Sequence, residues 1–445
     1  MVWLLALTFI LRFPLLFQSL WLDESIEALA LMGRMGPLIK YALADFQPPV
    51  YHFILWGWTR LAGFSEVALR FPSLLAGLGV TFFTVKLAEL LKNKRTGLLA
   101  GLLVATNPLL IYYSAEGRTY MMTAFFVTAS FYYLMKMLNS VRASRGSSLF
   151  YWLVTTLALW SSYLAWIVIG LQFLYLVQKK RWDIARLTFL AFLTLLLWLP
   201  SLMRSLNLGL STATNSPEWA RVVGGLSIKA VALTWVKLAL GRISFVSKYL
   251  YAAVVVLLLA LHSMIIKGVR TRQHPLLLIW LFGSVALAAL VALFVPVYSY
   301  FRLLFIVPSY LLLLSLTRYS RLLYLVVALQ LVFVGIYYLS PRFHHEDWRT
   351  LTNYLHEQSG IVAMPSLAQS APLQYYNLAL TLVEVKKVVP MEESTVFYIK
   401  YAEDLFDVSQ TGQANLTESG YTRVDSMTYP GIQLDIYTKN SIPND

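Results

Sequence analysis

The sequence predicts an α-helical polytopic membrane protein with a small C-terminal α/β domain on the extracytoplasmic side. The first observation is composition, because 58% of the 445 residues are hydrophobic and 13% are charged, whereas soluble domains carry about 25% charged residues. The second is the recurrence of apolar segments along the chain. The third is charge placement, because residues 340–445 hold 7 of the 36 basic and 13 of the 22 acidic residues. A basic membrane part with an acidic tail argues against a nucleic-acid partner, which requires a clustered basic face.

Eleven apolar segments predict about eleven transmembrane helices, since one crossing takes about 20 residues. The polar pair Ser161 and Ser162 leaves two interpretations of residues 149–178 open, one long helix or two short helices in a hairpin. The predicted spans are residues 2–20, 67–91, 97–113, 119–138, 149–161, 163–178, 186–200, 249–266, 275–295, 302–317 and 321–339.

Five basic clusters orient these spans. With eleven spans all five clusters lie on one side, whereas one long helix at 149–178 would place the first two opposite the last three. The positive-inside rule favours eleven spans, a cytoplasmic N-terminus, an external tail and location in the cell membrane, with membrane lipids around the basic groups. The clusters are Lys92, Lys94 and Arg95; Lys136, Arg142 and Arg145; Lys179, Lys180, Arg181 and Arg186; Lys267, Arg270 and Arg272; and Arg318 and Arg321.

The predicted division is a membrane domain over residues 1–339, whose first outer loop is 21–66, and an external domain over 340–445. A further outer segment, 201–248, contains amphipathic stretches around 218–240. In the tail, helical spacing predicts a helix within 345–360. The segments GIVAMPS, STVFYIKY and IQLDIYT predict strands.

Acidic residues follow the first predicted span directly. Asp23 and Glu27 are four residues apart and share a helix face, whereas Glu24 points about 100° away. One interpretation is structural, because acids stabilise a helix N-terminus. The other is functional, because carboxylates at a membrane boundary are costly to shield. Such a carboxylate deprotonates a hydroxyl or holds a divalent cation such as Mg or Mn.

Two further predicted outer turns carry charges. Glu116 and Arg118 lie in the turn 114–118, where a mutual ion pair or a solvated turn is the ordinary explanation. The functional interpretation makes Glu116 a second acid, and with Asp23 a potential metal ligand, and makes Arg118 a phosphate-binding residue. Arg302 and Arg70 lie at outer span ends, where they either extend to lipid headgroups or bind a phosphate. The six histidines do not show metal-ligand spacing.

These segments, in this order, resemble the GT-C glycosyltransferases, in particular the branch of protein O-mannosyltransferases and aminoarabinose transferases that includes glycosyltransferase family 39. The chain departs from that pattern at Gln47, where many relatives have a histidine before paired prolines, and at Ser161-Ser162-Tyr163, where many also carry a histidine. The matching segments are WLDE (21–24), QPPVYHFILWGWTRLAGFSEVALRFPS (47–73), NPLLIYYSAEGRTYMM (107–122), FRLLFIVPSYLLLLS (301–315) and EDWRTLTNYL (346–355).

The resemblance implies an inverting transfer of a sugar from a polyprenyl-phosphate donor to a protein, lipid or glycan acceptor on the outer membrane face. Carried over by position, Asp23 is the catalytic acid with Glu24 as its neighbour, Glu116 and Arg118 are the second-loop pair, and Arg302 binds the lipid phosphate. A membrane transporter or lipid flippase is the alternative, with mid-membrane charges and repeated halves expected of it. A non-catalytic scaffold that displays its tail is a third interpretation.

Overall fold

The chain folds into two compact units in a computed structural model. The first unit comprises Met1–Leu16 and Met35–Leu339, and the second comprises Phe17–Arg34 and Ser340–Asp445. Arg142 and the beginning of the predicted amphipathic stretch 218–240 lie outside the described residues. The structure describes residues 1–140, 144–215, 224–385, 393–407 and 409–439.

The first unit is helical. Short 3₁₀ segments at Phe13–Phe17, Thr194–Trp198, Thr271–Gln273 and Leu304–Ile306, and a π-helical turn at Ile279–Gly283, continue or connect its helices. Its described α-helices are Val2–Ile10, Met35–Ala44, Val50–Ala62, Glu66–Leu91, Lys94–Thr106, Pro108–Ser114, Thr119–Leu138, Arg145–Leu159, Tyr163–Gln178, Trp182–Leu193, Leu199–Asn215, Ile228–Leu240, Lys248–Lys267, Pro275–Leu278, Ser284–Val291, Val307–Ser315 and Ser320–Leu339.

Among the described residues, 5 helices are long and apolar enough to cross a membrane, or up to 7 if each of two bent pairs forms one span. The polytopic helical architecture is therefore confirmed, while the number eleven remains a prediction. Residues 149–178 form two helices, Arg145–Leu159 and Tyr163–Gln178, which meet at the polar pair Ser161 and Ser162.

A break in the predicted third span positions the turn 114–118. Lys94–Thr106 and Pro108–Ser114 are bent by 61°, because Pro108 cannot continue the hydrogen-bond pattern of the preceding helix. Arg12 lies buried beside the break and donates to the carbonyls of Val104 and Ala105 over 3.1 and 2.9 Å. Arg12, a charged residue within the first predicted span, thus satisfies carbonyls that the break leaves without helical partners.

The second unit contains the small α/β domain that the sequence predicts. Its mixed sheet has the order β2-β1-β3-β5-β4, with β1 parallel to β2 and β3, and β5 antiparallel to β3 and β4. The strands are β1 (Ile361–Met364), β2 (Thr381–Glu384), β3 (Thr395–Lys400), β4 (Tyr421–Tyr429) and β5 (Ile432–Lys439). The helices are Leu22–Met32, Trp348–His356, Ala371–Tyr375, Glu403–Phe406 and Thr411–Glu418.

Helix Trp348–His356 anchors the core of this unit. The predicted stripe Trp348, Leu351 and Leu355 is fully buried and packs in one cluster with Val362 and Phe397 of the sheet. Burying such side chains typically stabilises a fold by about 1.5–3 kcal/mol each.

The boundary of this unit differs from the predicted division at residue 340. The first part of the outer loop, including helix Leu22–Met32, belongs with the tail rather than with the membrane domain. The helix packs against Ala371–Tyr375, and the backbone N–H of Leu20 donates to the Tyr376 hydroxyl over 2.9 Å. These contacts join residues far apart in sequence, and sequence spacing alone gave no sign of them.

Candidate active site

The predicted second outer turn, residues 114–118, gathers charge in the first unit. Glu116 is buried, with 3% of its surface exposed, and Arg118 is partly buried. Glu116 interacts electrostatically with Arg242, and Arg118 with Asp45. The turn therefore brings one carboxylate and one guanidinium within electrostatic range of charged residues from two other segments.

Arg242 is a residue of this site that the sequence did not single out. Its guanidinium lies 4.4 Å from the ring centroid of Tyr112 and donates to the hydroxyl of the same tyrosine. Arg242 follows helix Ile228–Leu240, whose end is held by the side-chain amide of Asn107 donating to the Leu238 carbonyl over 2.9 Å. The helix break at residue 107 thus positions both Glu116 and the arginine that interacts with it.

Aromatic contacts join the second outer turn to a third predicted outer turn, residues 296–308. The ring of Phe301 lies 5.1 Å from that of Tyr120 and 6.4 Å from that of Tyr113. The adjacent Arg302 extends over the Phe301 ring at 5.8 Å and donates to the Pro296 carbonyl over 3.4 Å. The two turns that carry Glu116, Arg118 and Arg302 are therefore neighbours.

A cavity of about 300 Å³ lies beside Arg302. Its lining is mostly apolar, with the polar side chains Gln47, Ser162, Tyr163, Ser205 and Arg302 among leucines, valines and aromatic residues. The Tyr163 hydroxyl accepts a hydrogen bond from the Trp198 indole over 3.1 Å. An apolar cavity with one cation at its wall suits a ligand that combines a hydrocarbon part with an anion.

A carboxylate–histidine pair lies at the start of the Gln47 segment. Asp45 Oδ2 and His52 Nε2 are 3.0 Å apart, and His52 is only 2% exposed. Burial alone would raise the pKa of Asp45, but the hydrogen bond from His52 and the charge of Arg118 hold that pKa below its usual value. Asp45 is therefore an ionised anchor for Arg118 and His52 rather than a strong base.

Arg70, the third predicted phosphate-binding residue, is fully buried. Its Nη1 donates to the carbonyl of Leu16 over 3.2 Å. This bond ties helix Glu66–Leu91 to the 3₁₀ turn that follows the first helix. The structure thus gives Arg70 a packing role in the first unit, and its predicted contact with a phosphate remains a prediction.

The acids Asp23, Glu24 and Glu27 belong to the second unit. Asp23 and Glu24 begin helix Leu22–Met32, whose N-cap is Trp21. Glu24 and Glu27 are buried, at 2% and 1% exposure, whereas Asp23 is partly exposed. Asp23 is therefore the accessible carboxylate of the three, which agrees with the role predicted for it but does not test that role.

Asp23 shares its surroundings with two residues that the sequence did not single out. The Tyr401 hydroxyl donates to Glu346 Oε1 over 3.3 Å. Burial, together with the negative charges of Glu346 and Asp23, raises the pKa of Tyr401 above its usual range. The nearby Trp21 ring stacks on His345, with centroids 6.2 Å apart. Asp23 therefore interacts electrostatically with polar residues of the C-terminal tail.

A metal ion has limited protein ligands in the parts of the chain that the structure describes. Within those residues, no group of three or more His, Asp or Glu side chains is placed to hold one. The predicted ligands Asp23 and Glu116 belong to different units. A metal-binding role for Asp23 and Glu116 stays a prediction.

Comparison with known proteins adds three findings. The family model for dolichyl-phosphate-mannose-protein mannosyltransferase matches residues 46–203. ArnT from Cupriavidus metallidurans, solved with undecaprenyl phosphate, superimposes with a TM-score of 0.56 at 13% identity, covering 98% of this chain and 97% of that one. AglB, an oligosaccharyltransferase from Archaeoglobus fulgidus solved with an inhibitory peptide and a dolichol-phosphate, gives 0.56 at 11% identity, covering 100% and 74%. No curated protein sequence matches.

The chain therefore shares its fold with ArnT and AglB, and the fold is the one that the resemblance to GT-C glycosyltransferases implied. The matched region, 46–203, contains the segment that directly follows Asp45, the second outer turn and Tyr163. Because the sequence identity to these solved structures is low, the likeness establishes the fold alone. The roles of the site residues rest on the geometry described above.

Proposed function

We propose that this chain transfers a sugar from a polyprenyl-phosphate donor to an acceptor hydroxyl on the outer face of the cell membrane. The observation that carries the proposal is the apolar cavity beside Arg302, next to the turn that holds Glu116 and Arg118. A polyprenyl phosphate needs both features, because its tail is apolar and its head is anionic.

The arginines supply the electrostatic part of the reaction. As the sugar departs, the donor phosphate gains negative charge, and cations fixed in a site of low dielectric constant stabilise that charge by several kcal/mol. Arg118 and Arg302 serve this role in the proposal, with Arg70 as a third. ArnT was solved with undecaprenyl phosphate and AglB with a dolichol-phosphate, which supports a donor of this chemical class.

Asp45 and His52 position the arginine of the second turn. Because Asp45 is ionised and interacts with Arg118, it restricts the guanidinium before the donor arrives. A cation fixed in advance needs no reorganisation when phosphate charge develops. Asp45 is thus a positioning residue in this proposal.

The chemical step is a single displacement. The acceptor oxygen bonds to the anomeric carbon while the bond from that carbon to the phosphate oxygen breaks, and the electron pair leaves with the polyprenyl phosphate. The acceptor proton passes to Asp23, whose neighbour in the chain is Glu24, and Glu116 is the second-loop acid that the resemblance implies. Attack opposite the leaving group inverts the anomeric configuration. General-base assistance typically contributes about 10²–10⁴-fold to such a step.

Purified protein incubated with labelled polyprenyl-phosphate hexoses and pentoses tests the proposal. We expect free polyprenyl phosphate and glycosylated acceptor in equal amounts, with peptide, lipid and glycan acceptors supplied in parallel arms. Nucleotide sugars offered without a lipid carrier should give no product. A flippase would move the labelled lipid across a vesicle bilayer with its phosphate–sugar bond intact, and that outcome would replace the transferase proposal with the transporter alternative.

A further inference from the structure

A second cavity lies at a different end of the first unit, away from the turns described above. It has a volume of about 450 Å³ and is formed where helix Glu66–Leu91 ends, where Val307–Ser315 ends, and between Lys248–Lys267 and Pro275–Leu278. Its lining consists of Leu91, Lys92, Lys267, Gly268, Val269, Arg270, Gln273, His274, Leu316 and Arg318.

Three of the five basic clusters meet at this cavity. Lys92 comes from the first cluster, Lys267 and Arg270 from the fourth, and Arg318 from the fifth. The backbone N–H of Arg318 donates to the Gly268 carbonyl over 3.0 Å, which fixes two of these segments together. The positive-inside rule requires such clusters to share a side of the membrane, but it does not require them to line one cavity.

The cavity is strongly positive. In the described parts of the chain, none of its four cationic side chains is paired with a carboxylate, and the nearby Glu89 is paired with Lys86 at 2.9 Å. Burial and the charge of Lys92 lower the pKa of His274, so this histidine favours its neutral form. Four cations without a carboxylate among them repel one another unless an anion joins them.

The ordinary explanation for these cations is that they complement the negative ends of helices. Lys92 does this in part, because its Nζ donates to the Leu316 carbonyl over 3.4 Å. The Arg318 guanidinium lies 4.7 Å from the ring centroid of Tyr319. Lys267 is the last residue of helix Lys248–Lys267, so its charge also complements a helix end. In contrast, Arg270 is exposed, lies outside the helices and lines the cavity. Helix capping therefore accounts for some of the charge but not for its convergence.

We propose that this cavity binds the phosphate headgroup of an anionic phospholipid from the leaflet that the positive-inside rule assigns to the cytoplasm. The cations neutralise the phosphodiester, and Leu91, Val269 and Leu316 give the lining an apolar part against which the glycerol and the start of an acyl chain pack. This is a lipid site separate from the donor cavity, and it does not depend on the transferase proposal.

Lipid binding is measured by native mass spectrometry of the detergent-purified full chain, titrated with dioleoyl phosphatidylglycerol or dioleoyl phosphatidylcholine. The test variant is Lys92→Gln/Arg270→Gln/Arg318→Gln. The matched control, Lys94→Gln/Arg272→Gln/Arg321→Gln, removes the same charge from the same three clusters but touches no residue that lines the cavity. The single variant Arg270→Gln guards against misfolding of the triple variant, because its side chain has no hydrogen bond to lose among the described residues.

We expect one phosphatidylglycerol bound in preference to phosphatidylcholine, about tenfold weaker binding in the triple variant from the loss of charge-assisted phosphate contacts, and a smaller loss in Arg270→Gln. The control should bind as the wild type does. An equal loss of phosphatidylglycerol binding in the test and control variants would overturn the site, because it would indicate non-specific electrostatic attraction between the lipid and the basic surface. Equal binding of both lipids, or displacement of phosphatidylglycerol by millimolar inorganic phosphate alone, would overturn the lipid assignment.

Discussion

Arg302→Gln should weaken donor binding selectively. The side chain is partly buried beside an apolar cavity, over the Phe301 ring and bonded to the Pro296 carbonyl. These contacts hold the guanidinium in place, so its N–H groups are already oriented when the phosphate of the lipid binds. A hydrogen bond to a charged group typically contributes about 1.5–3 kcal/mol. Since about 1.4 kcal/mol is a factor of ten in affinity, loss of the charge should raise the donor dissociation constant by about 10–150-fold.

Binding of polyprenyl phosphate, the product with the same headgroup, provides the assay without turnover. Quenching of intrinsic tryptophan fluorescence in detergent, titrated with this lipid, gives the dissociation constant of each variant. Arg204→Gln is the control, because Arg204 is an exposed arginine of the same unit that does not line the cavity. An unchanged dissociation constant in Arg302→Gln, or an equal change in the control, would refute the assignment of Arg302 to the phosphate.

Three further predictions concern the residues around this site. Asp45→Asn should destabilise the protein by about 1–3 kcal/mol at neutral pH. Because folding lowers the pKa of Asp45, its contribution to stability is present above the pKa of the unfolded state and disappears as pH falls, so the melting curves of the two proteins should converge in acid. A pH-independent difference would contradict the pairing of Asp45 with His52. Arg12→Met should lower the free energy of unfolding by about 1–3 kcal/mol for each buried carbonyl left unsatisfied, and with it the thermal midpoint. An unchanged midpoint would contradict the role of Arg12 at the helix break. Arg242→Gln should lower turnover by about tenfold or more through weaker charge stabilisation; normal turnover would remove Arg242 from the site.

Much of the fold follows from local pattern, and the tail illustrates both the strength and the limit of that pattern. The stripe Trp348, Leu351 and Leu355 predicted the core helix because burial follows helical period. Strand β4 was missed because residues 422–426 are all exposed and show no alternation. Strand β2 is only four residues long and has no fully buried position. Edge strands of this kind form through pairing with a neighbour, which sequence period does not report.

Charged residues of the candidate site were visible in the sequence where they flank apolar spans. Residues whose contacts join distant segments were missed. Glu116, Arg118 and Arg302 stand at span ends, which made them visible. Asp45 and His52 meet across the turn made by Pro48 and Pro49, and that geometry depends on how the turn packs rather than on spacing. Arg242 contacts a tyrosine 130 residues away in sequence, so no local pattern could reveal it.

The role of Asp23 is the central chemical claim, and one rate measurement tests it. Purified Asp23→Asn and the exposed control Glu357→Gln are mixed with saturating labelled polyprenyl-phosphate sugar, and a single turnover is followed by release of polyprenyl phosphate. With the base removed, we expect the rate to fall by at least about 10²-fold while polyprenyl phosphate still binds and the control reacts normally. A variant that completes its turnover at the wild-type rate would show that the acceptor proton goes elsewhere.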